Sequence, residues 1–331
     1  MDNIKIKGTG VYIPKHKVYN EEINEHFAQR GLDASHLMKH MGRRKRYFIS
    51  EDEDAISMCR NAIDDCVKKN KIDLEEIEML VVCSDTPEYL TPTNAVKLVG
   101  LYGDSMKNVN VAFDMNCNCI GMVLGMDLVS KYMRSSNISK ALVIGCFCIS
   151  PIALWGDTVV YANFADAAAC VALEAVEEET RSGFLDTKVF VDASSHEYVT
   201  YPKCGMSKVP LKKIEPNEKR LEWIPSPADD MVEYIVREIR CVLKRNSLTT
   251  DDINYFIFSQ LSDADNLETL KLLNVQEEKY HYMGSEYGYT GNTCTILCLN
   301  RMWDLYSKPG NRIIIATIGA GSTVIVQLYQ F

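Results

Sequence analysis

Three segments of this 331-residue chain recur in the same order about 174 residues apart, and an ordered repeat of that length leaves few folds open. Residues 72–84, an acidic turn followed by an apolar run, return in type as residues 248–260. Asn118-Cys119-Ile120-Gly121 opens a segment that returns from Asn292, each copy at a predicted helix start. Lys140-Ala141-Leu142-Val143-Ile144-Gly145 returns as Arg312-Ile313-Ile314-Ile315-Ala316-Thr317. The chain therefore reads as two copies of one α/β unit, residues 1–175 and 176–331, with the seam in the charged stretch 174–181. In each half buried strands alternate with amphipathic helices, the pattern of a mostly parallel sheet covered by helices. The spacing predicts corresponding helices over 53–69 and 229–244; in the second, Tyr234, Ile235, Ile239, Val242 and Leu243 share a face. No Pro/Gly/Ser-rich linker divides the halves, so they are expected to pack as one body. The equivalent helix starts then meet near a pseudo-twofold axis, which brings Cys119 and Asn292 together.

Composition narrows the function. Apolar residues make up 47% and charged residues 24% of the chain, as in soluble globular proteins. The net charge of -9 argues against nucleic acid as a partner, because no basic face offsets it. Gly42-Arg43-Arg44-Lys45-Arg46 is the one compact basic run, which reads first as a solvated loop and second as a means of steering an anionic cofactor or an acidic carrier protein. The twelve cysteines are irregularly spaced, and the first residues alternate like a strand rather than a secretory signal. Reduced thiols and a cytoplasmic location are expected. The longest apolar stretch, 141–155, is broken by Ser150 and Pro151 and is too short to span a bilayer, so no membrane role is expected. Cys117-x-Cys119 and Cys146-x-Cys148 lack the intervening residues that let a chain wrap a zinc ion, so no metal site is expected.

Chemistry concentrates at Cys119. The β-branched run from Val109 ends in polar residues, and Cys119 then opens a segment with helical spacing. A cysteine in a first helical turn faces unpaired backbone N–H groups and the positive end of the dipole. Both favour the thiolate, so Cys119 is a candidate to attack an acyl group, the other reading of the position being a small apolar residue packed in a crowded turn.

On these residues the chain resembles the thiolase-like condensing enzymes, and most closely β-ketoacyl-acyl-carrier-protein synthase III. Gly8-Thr9-Gly10-Val11-Tyr12-Ile13-Pro14 resembles that family's opening strand and turn, and the stretch from Phe113 to Gly121 its nucleophile segment. Tyr289-Thr290-Gly291-Asn292-Thr293 resembles its Gly-Asn-Thr segment, and Ile318-Gly319-Ala320-Gly321-Ser322 its glycine-rich strand end. The resemblance implies an α/β thiolase-like fold, two βαβαβαββ halves in a five-layered α-β-α-β-α body. It implies Cys119 and Asn292 as catalytic residues and an oxyanion hole built with Gly319, Ala320 and Gly321. The substrate implied is an acyl-coenzyme A or acyl-carrier-protein thioester, with no permanently bound cofactor. The implied assembly is a dimer paired through 108–114, with a loop near Thr91 reaching the partner's pocket.

Several positions depart from the family pattern. Aligning on Gln260 places Ser259 where the family has its catalytic histidine, which with the asparagine supports the enolate formed from a malonyl thioester. His196 and His281 are the candidates for a substitute base. His36 and His40 fall where a tryptophan and an arginine stack the adenine of coenzyme A, with Arg43 beside them. The arginine that docks the carrier protein falls at Ala264, between Asp263 and Asp265. The expectation is an acyltransferase or divergent condensing enzyme that forms an acyl-Cys119 thioester, in secondary metabolism or specialised lipid synthesis. The alternative is a catalytically silent subunit paired with an intact paralogue.

Overall fold

The computed structural model describes residues 2–224 and 230–331. Its first sheet comprises β1 (Asp2–Tyr12), β2 (Met79–Cys83), β3 (Val111–Met115), β4 (Lys140–Phe147) and β5 (Ala167–Glu177), in the order β1-β5-β4-β2-β3. Strand β2 runs parallel to β3 and β4, whereas β5 is antiparallel to β4 and β1. The second sheet comprises β6 (Gly183–Val191), β7 (Tyr255–Phe258), β8 (Arg312–Gly319) and β9 (Thr323–Gln330), in the order β7-β8-β9-β6. Its pairings repeat those of the first: β7 parallel to β8, then β9 antiparallel to β8 and β6. The counterpart of β3 shrinks to one bridge between Phe256 and Tyr280.

Six helices complete the layers: α1 (Ala55–Asn70), α2 (Asn94–Tyr102), α3 (Gly121–Ser136), α4 (Met231–Arg245), α5 (Asp263–Leu273) and α6 (Cys294–Arg301). Successive strand residues face opposite ways, so an all-apolar strand feeds two cores. On β2, Leu80 and Val82 meet α1 and α2, while Val81 and Cys83 meet α3. Helices α3 and α6 share the central layer, and α4 and α5 cover the far face of the second sheet. The result is the thiolase-like α-β-α-β-α stack. The chain crosses from β5 to β6 between Glu177 and Gly183.

One predicted helix start shifts. Helix α1 begins at Ala55 because the Asp54 carboxylate accepts a hydrogen bond from the Ser57 N–H at 2.7 Å, capping it. The predicted start of α4 at Asp229 lies outside the described residues. Gly125 lets α3 lie close on the sheet: a Cβ there would sit 2.5 Å from Cys83 Sγ. That contact fixes the height of the segment carrying Cys119.

Candidate active site

Ligands of parallel α/β sheets gather beyond the carboxyl ends of the strands, and here five strand ends converge. A cavity of about 360 Å³ is lined by Asp85 after β2, Cys119 after β3, Phe147 on β4, Ser259 after β7 and Gly319 on β8, with Tyr289 closing it.

Cys119 lies in a single 3-10 turn (Asn118–Ile120) just ahead of α3. Asn118 adopts a left-handed φ of 50°, and its Nδ2 reaches the Ala320 carbonyl at 3.4 Å, tying the turn to the glycine loop. A Cβ on Gly319 would stand 3.3 Å from Ile120 Cγ2 and 3.7 Å from the Cys119 nitrogen. The backbone of Gly319 and Ala320 thus lies against the Cys119 turn, and Gly319, Ala320 and Gly321 all line the cavity.

The thiolate expected from the helix start does not hold at rest. Burial raises the Cys119 pKa well above that of a free thiol, the Asp85 carboxylate raises it further, and the Tyr289 hydroxyl opposes them only in part. Desolvation outweighs the helix end, since it penalises the charge more than nearby dipoles reward it.

Asn292 does come to the turn that carries Cys119, as the repeat implied: a Cβ on Gly121 would stand 3.7 Å from Asn292 Cβ. Its side chain is buried and does not line the cavity; its Nδ2 donates to the carbonyls of Cys83 at 3.1 Å and Cys146 at 3.3 Å, tying the ends of β2 and β4 together, and its Oδ1 has no partner. The side chain that lines the cavity and meets the Cys119 sulfur is Tyr289, three residues earlier. A bridge to Phe164 and ring packing on Phe164 at 5.0 Å and Phe147 at 6.3 Å hold it there. Burial pushes its hydroxyl pKa up, reinforced by the Cys119 sulfur.

Ser259 does line the cavity. Its N–H donates to the Ala316 carbonyl at 2.9 Å, and its own carbonyl accepts from Asn266 Nδ2 at 2.7 Å. Its hydroxyl neighbours Tyr289 and Cys294 but has no partner in a well-formed hydrogen bond.

Arg43 also departs from expectation. The guanidinium is buried, donating to the carbonyls of Asn163 (3.0 Å), Met41 (3.3 Å), Gln260 (3.1 Å) and Leu261 (2.7 Å) and to the Tyr282 hydroxyl. Its donors are committed, so it braces the loop after Ser259 rather than offering charge to a phosphate. His36, His40 and Thr91 are exposed and do not line the cavity; His40 Nε2 lies 3.6 Å from Asp265 Oδ1, and Asp265 does line it. His281 accepts or donates at 2.9 Å with the Tyr306 hydroxyl, and His196 is exposed, so neither replaces a base beside Cys119.

Two residues were missed in the sequence. Asp85 had a signal: it lies two residues beyond the apolar run that ends at Cys83, at the carboxyl end of an expected parallel strand. Tyr289 had none beyond lying inside the segment singled out for Asn292. Among the described residues no group of acidic, histidine or cysteine side chains is arranged to hold a metal ion. Nor, among them, is any helix long and apolar enough to cross a membrane.

Comparison with known proteins agrees with this fold. Residues 113–193 match the model of 3-oxoacyl-[acyl-carrier-protein] synthase III, and residues 243–331 match that of its C-terminal part. The chain is 24% identical to a β-ketoacyl-[acyl-carrier-protein] synthase III of Clostridium novyi, covering 100% of both. Among solved structures it resembles the 3-oxoacyl-[acyl-carrier-protein] synthase III of Aquifex aeolicus, with a TM-score of 0.84 at 22% identity over 99% of this chain and 100% of that one. It also resembles the priming β-ketosynthase of the R1128 polyketide pathway, with a TM-score of 0.85 at 18% identity over 99% and 96%.

Proposed function

Because the chain belongs to the 3-oxoacyl-[acyl-carrier-protein] synthase III family of thiolase-like condensing enzymes, we propose that it is an acyltransferase working through an acyl-Cys119 thioester. The donor is an acyl-coenzyme A or an acyl-carrier-protein thioester, bound as substrate. The observation that carries this reading is the placement of Cys119 in a cavity walled on one side by the glycine-loop backbone.

The chemistry follows from these groups. Cys119 must lose its proton as it attacks, because its thiol is held protonated at rest. The thioester carbonyl oxygen then takes negative charge beside the N–H groups of Cys119 and the glycine loop, and collapse expels the carrier thiol. Losing one such N–H donor typically costs about 3 kcal/mol of transition-state stabilisation. Phe147 and Phe164 give the acyl chain apolar wall to lie against. We place this activity in secondary metabolism or specialised lipid synthesis, a reading to which the polyketide-priming likeness lends support.

Rapid mixing with acyl-coenzyme A donors, followed by colorimetric detection of free coenzyme A thiol, tests the reading. A burst equal to the enzyme concentration is expected, and it should vanish in Cys119→Ala. Absence of a burst with every coenzyme A and carrier-protein donor would favour a silent subunit instead.

A further inference from the structure

Asp85 is half-buried in the cavity wall. Its Oδ1 is shielded from solvent and has no hydrogen-bond partner, and among the described residues no cation acts on it. A shielded carboxyl oxygen without a partner opposes folding, and this one lies in the same cavity as the nucleophile, close enough for its charge to act on the Cys119 sulfur. A second unpartnered polar atom, Ser259 Oγ, faces that cavity from the other half of the molecule.

The electrostatics of the cavity restrict what can enter. Its titratable lining groups are Asp85, Cys119, Tyr198, Tyr201, Asp265 and Tyr289; among the described residues none is a cation. Arg43, a buried cation, stands behind the Ser259 loop with its donors committed to carbonyls and to the Tyr282 hydroxyl. An acceptor bearing a carboxylate, such as a malonyl thioester, would meet like charge with no counter-charge, an arrangement that costs several kcal/mol on the order seen at mismatched interfaces. An acceptor bearing an O–H or N–H would satisfy Asp85 Oδ1 and give Ser259 Oγ a partner.

Building on the acyl-Cys119 reading, we propose that this site takes a neutral alcohol or amine as acceptor, with Asp85 receiving its proton, and forms an ester or amide. The acceptor's O–H or N–H bond breaks and its proton goes to Asp85, while its lone pair forms the new bond to the acyl carbon. The resulting oxyanion lies toward the Cys119 and glycine-loop N–H groups. The C–S bond then breaks, the electron pair leaves on the Cys119 sulfur, and Asp85 returns the proton to it. No carbon dioxide is released and nothing is oxidised or reduced. Two features fit this cycle. Burial raises the Asp85 pKa to about 6, which leaves it ionised at neutral pH yet basic enough to accept a proton. The raised pKa of Cys119 makes its sulfur a leaving group that needs that proton back.

The test separates loading from discharge. Wild-type protein and Asp85→Asn are loaded with hexanoyl-coenzyme A, loading is read by intact mass, and discharge is followed with 1-butanol, butylamine or malonyl-coenzyme A. Wild-type acyl-enzyme is expected to discharge to butanol or butylamine, giving the hexanoyl ester or amide, at a rate that rises through pH about 6. Asp85→Asn should still reach one acyl group per chain, which also reports its folding, but discharge about 100-fold more slowly and without the pH step. Discharge by malonyl-coenzyme A with release of carbon dioxide would overturn the proposal. So would an Asp85→Asn profile equal to wild type. A wild-type protein that never loads fails the acyl-enzyme reading itself, a result distinct from both.

Discussion

Burial pushes the Asp85 pKa up to about 6 from the 3.8 of a free aspartate. Because the folded value is raised, folding favours the protonated acid. The group costs nothing below pH about 4, and its cost grows as pH climbs to about 6 and stays in full above it. Asp85→Asn should therefore stabilise the protein by about 1–3 kcal/mol at pH 8 and by nothing at pH 4, read from urea unfolding at the two pH values. Asn292 behaves in the opposite way. Asn292→Ala removes the hydrogen bonds to the Cys83 and Cys146 carbonyls and should cost about 1–3 kcal/mol, while the folded fraction still loads Cys119. Loss of loading with stability unchanged would restore Asn292 to the site. The difference between these residues explains what the sequence could reveal. Cys119 and Ser259 follow strand ends, and strand ends are visible as the close of an apolar run. Which residue of the 289–293 segment faces Cys119 depends on the rotation of one tight turn, and ring packing on Phe147 and Phe164 from distant strands sets it.

At the scale of elements, the loop after β7 is held by Arg43 from the first half of the chain. Its guanidinium joins Met41 and Asn163 to Gln260 and Leu261, so one buried cation sets the position of Ser259 relative to Cys119. Arg43→Met keeps much of the volume but leaves those carbonyls without their donor. It should destabilise the protein by about 3 kcal/mol and slow loading, measured by thermal unfolding and the thiol burst. A variant that keeps its stability but binds the donor more weakly would return Arg43 to phosphate recognition. In the sequence, Arg43 heads a basic run, and only the long-range carbonyls distinguish it from its exposed neighbour Arg44. Strands and helices were easier to read. All-apolar runs such as 79–83 and the i, i+4 face of α4 are local patterns that need no distant partner to interpret.

For the whole molecule, the repeat at about 174 residues translates into two sheets with the same pairing senses around a shared helical layer. The copies diverge where the first keeps β3 and the second keeps a single bridge. Strand β3 forms the edge of its sheet, and Phe113 on it is 38% exposed, an arrangement suited to pairing with a second copy. Phe113→Asp should convert a dimer to a monomer in sedimentation equilibrium without lowering the helix content. A wild-type monomer would count against pairing through this edge. The most direct test of the central claim is intact-protein mass after incubation with a panel of acyl thioesters, followed by peptide mapping. The account predicts one acyl group per chain, attached to Cys119 rather than to Cys117 and absent from Cys119→Ala. An unmodified protein with every donor, or an acyl group on another residue, would contradict it.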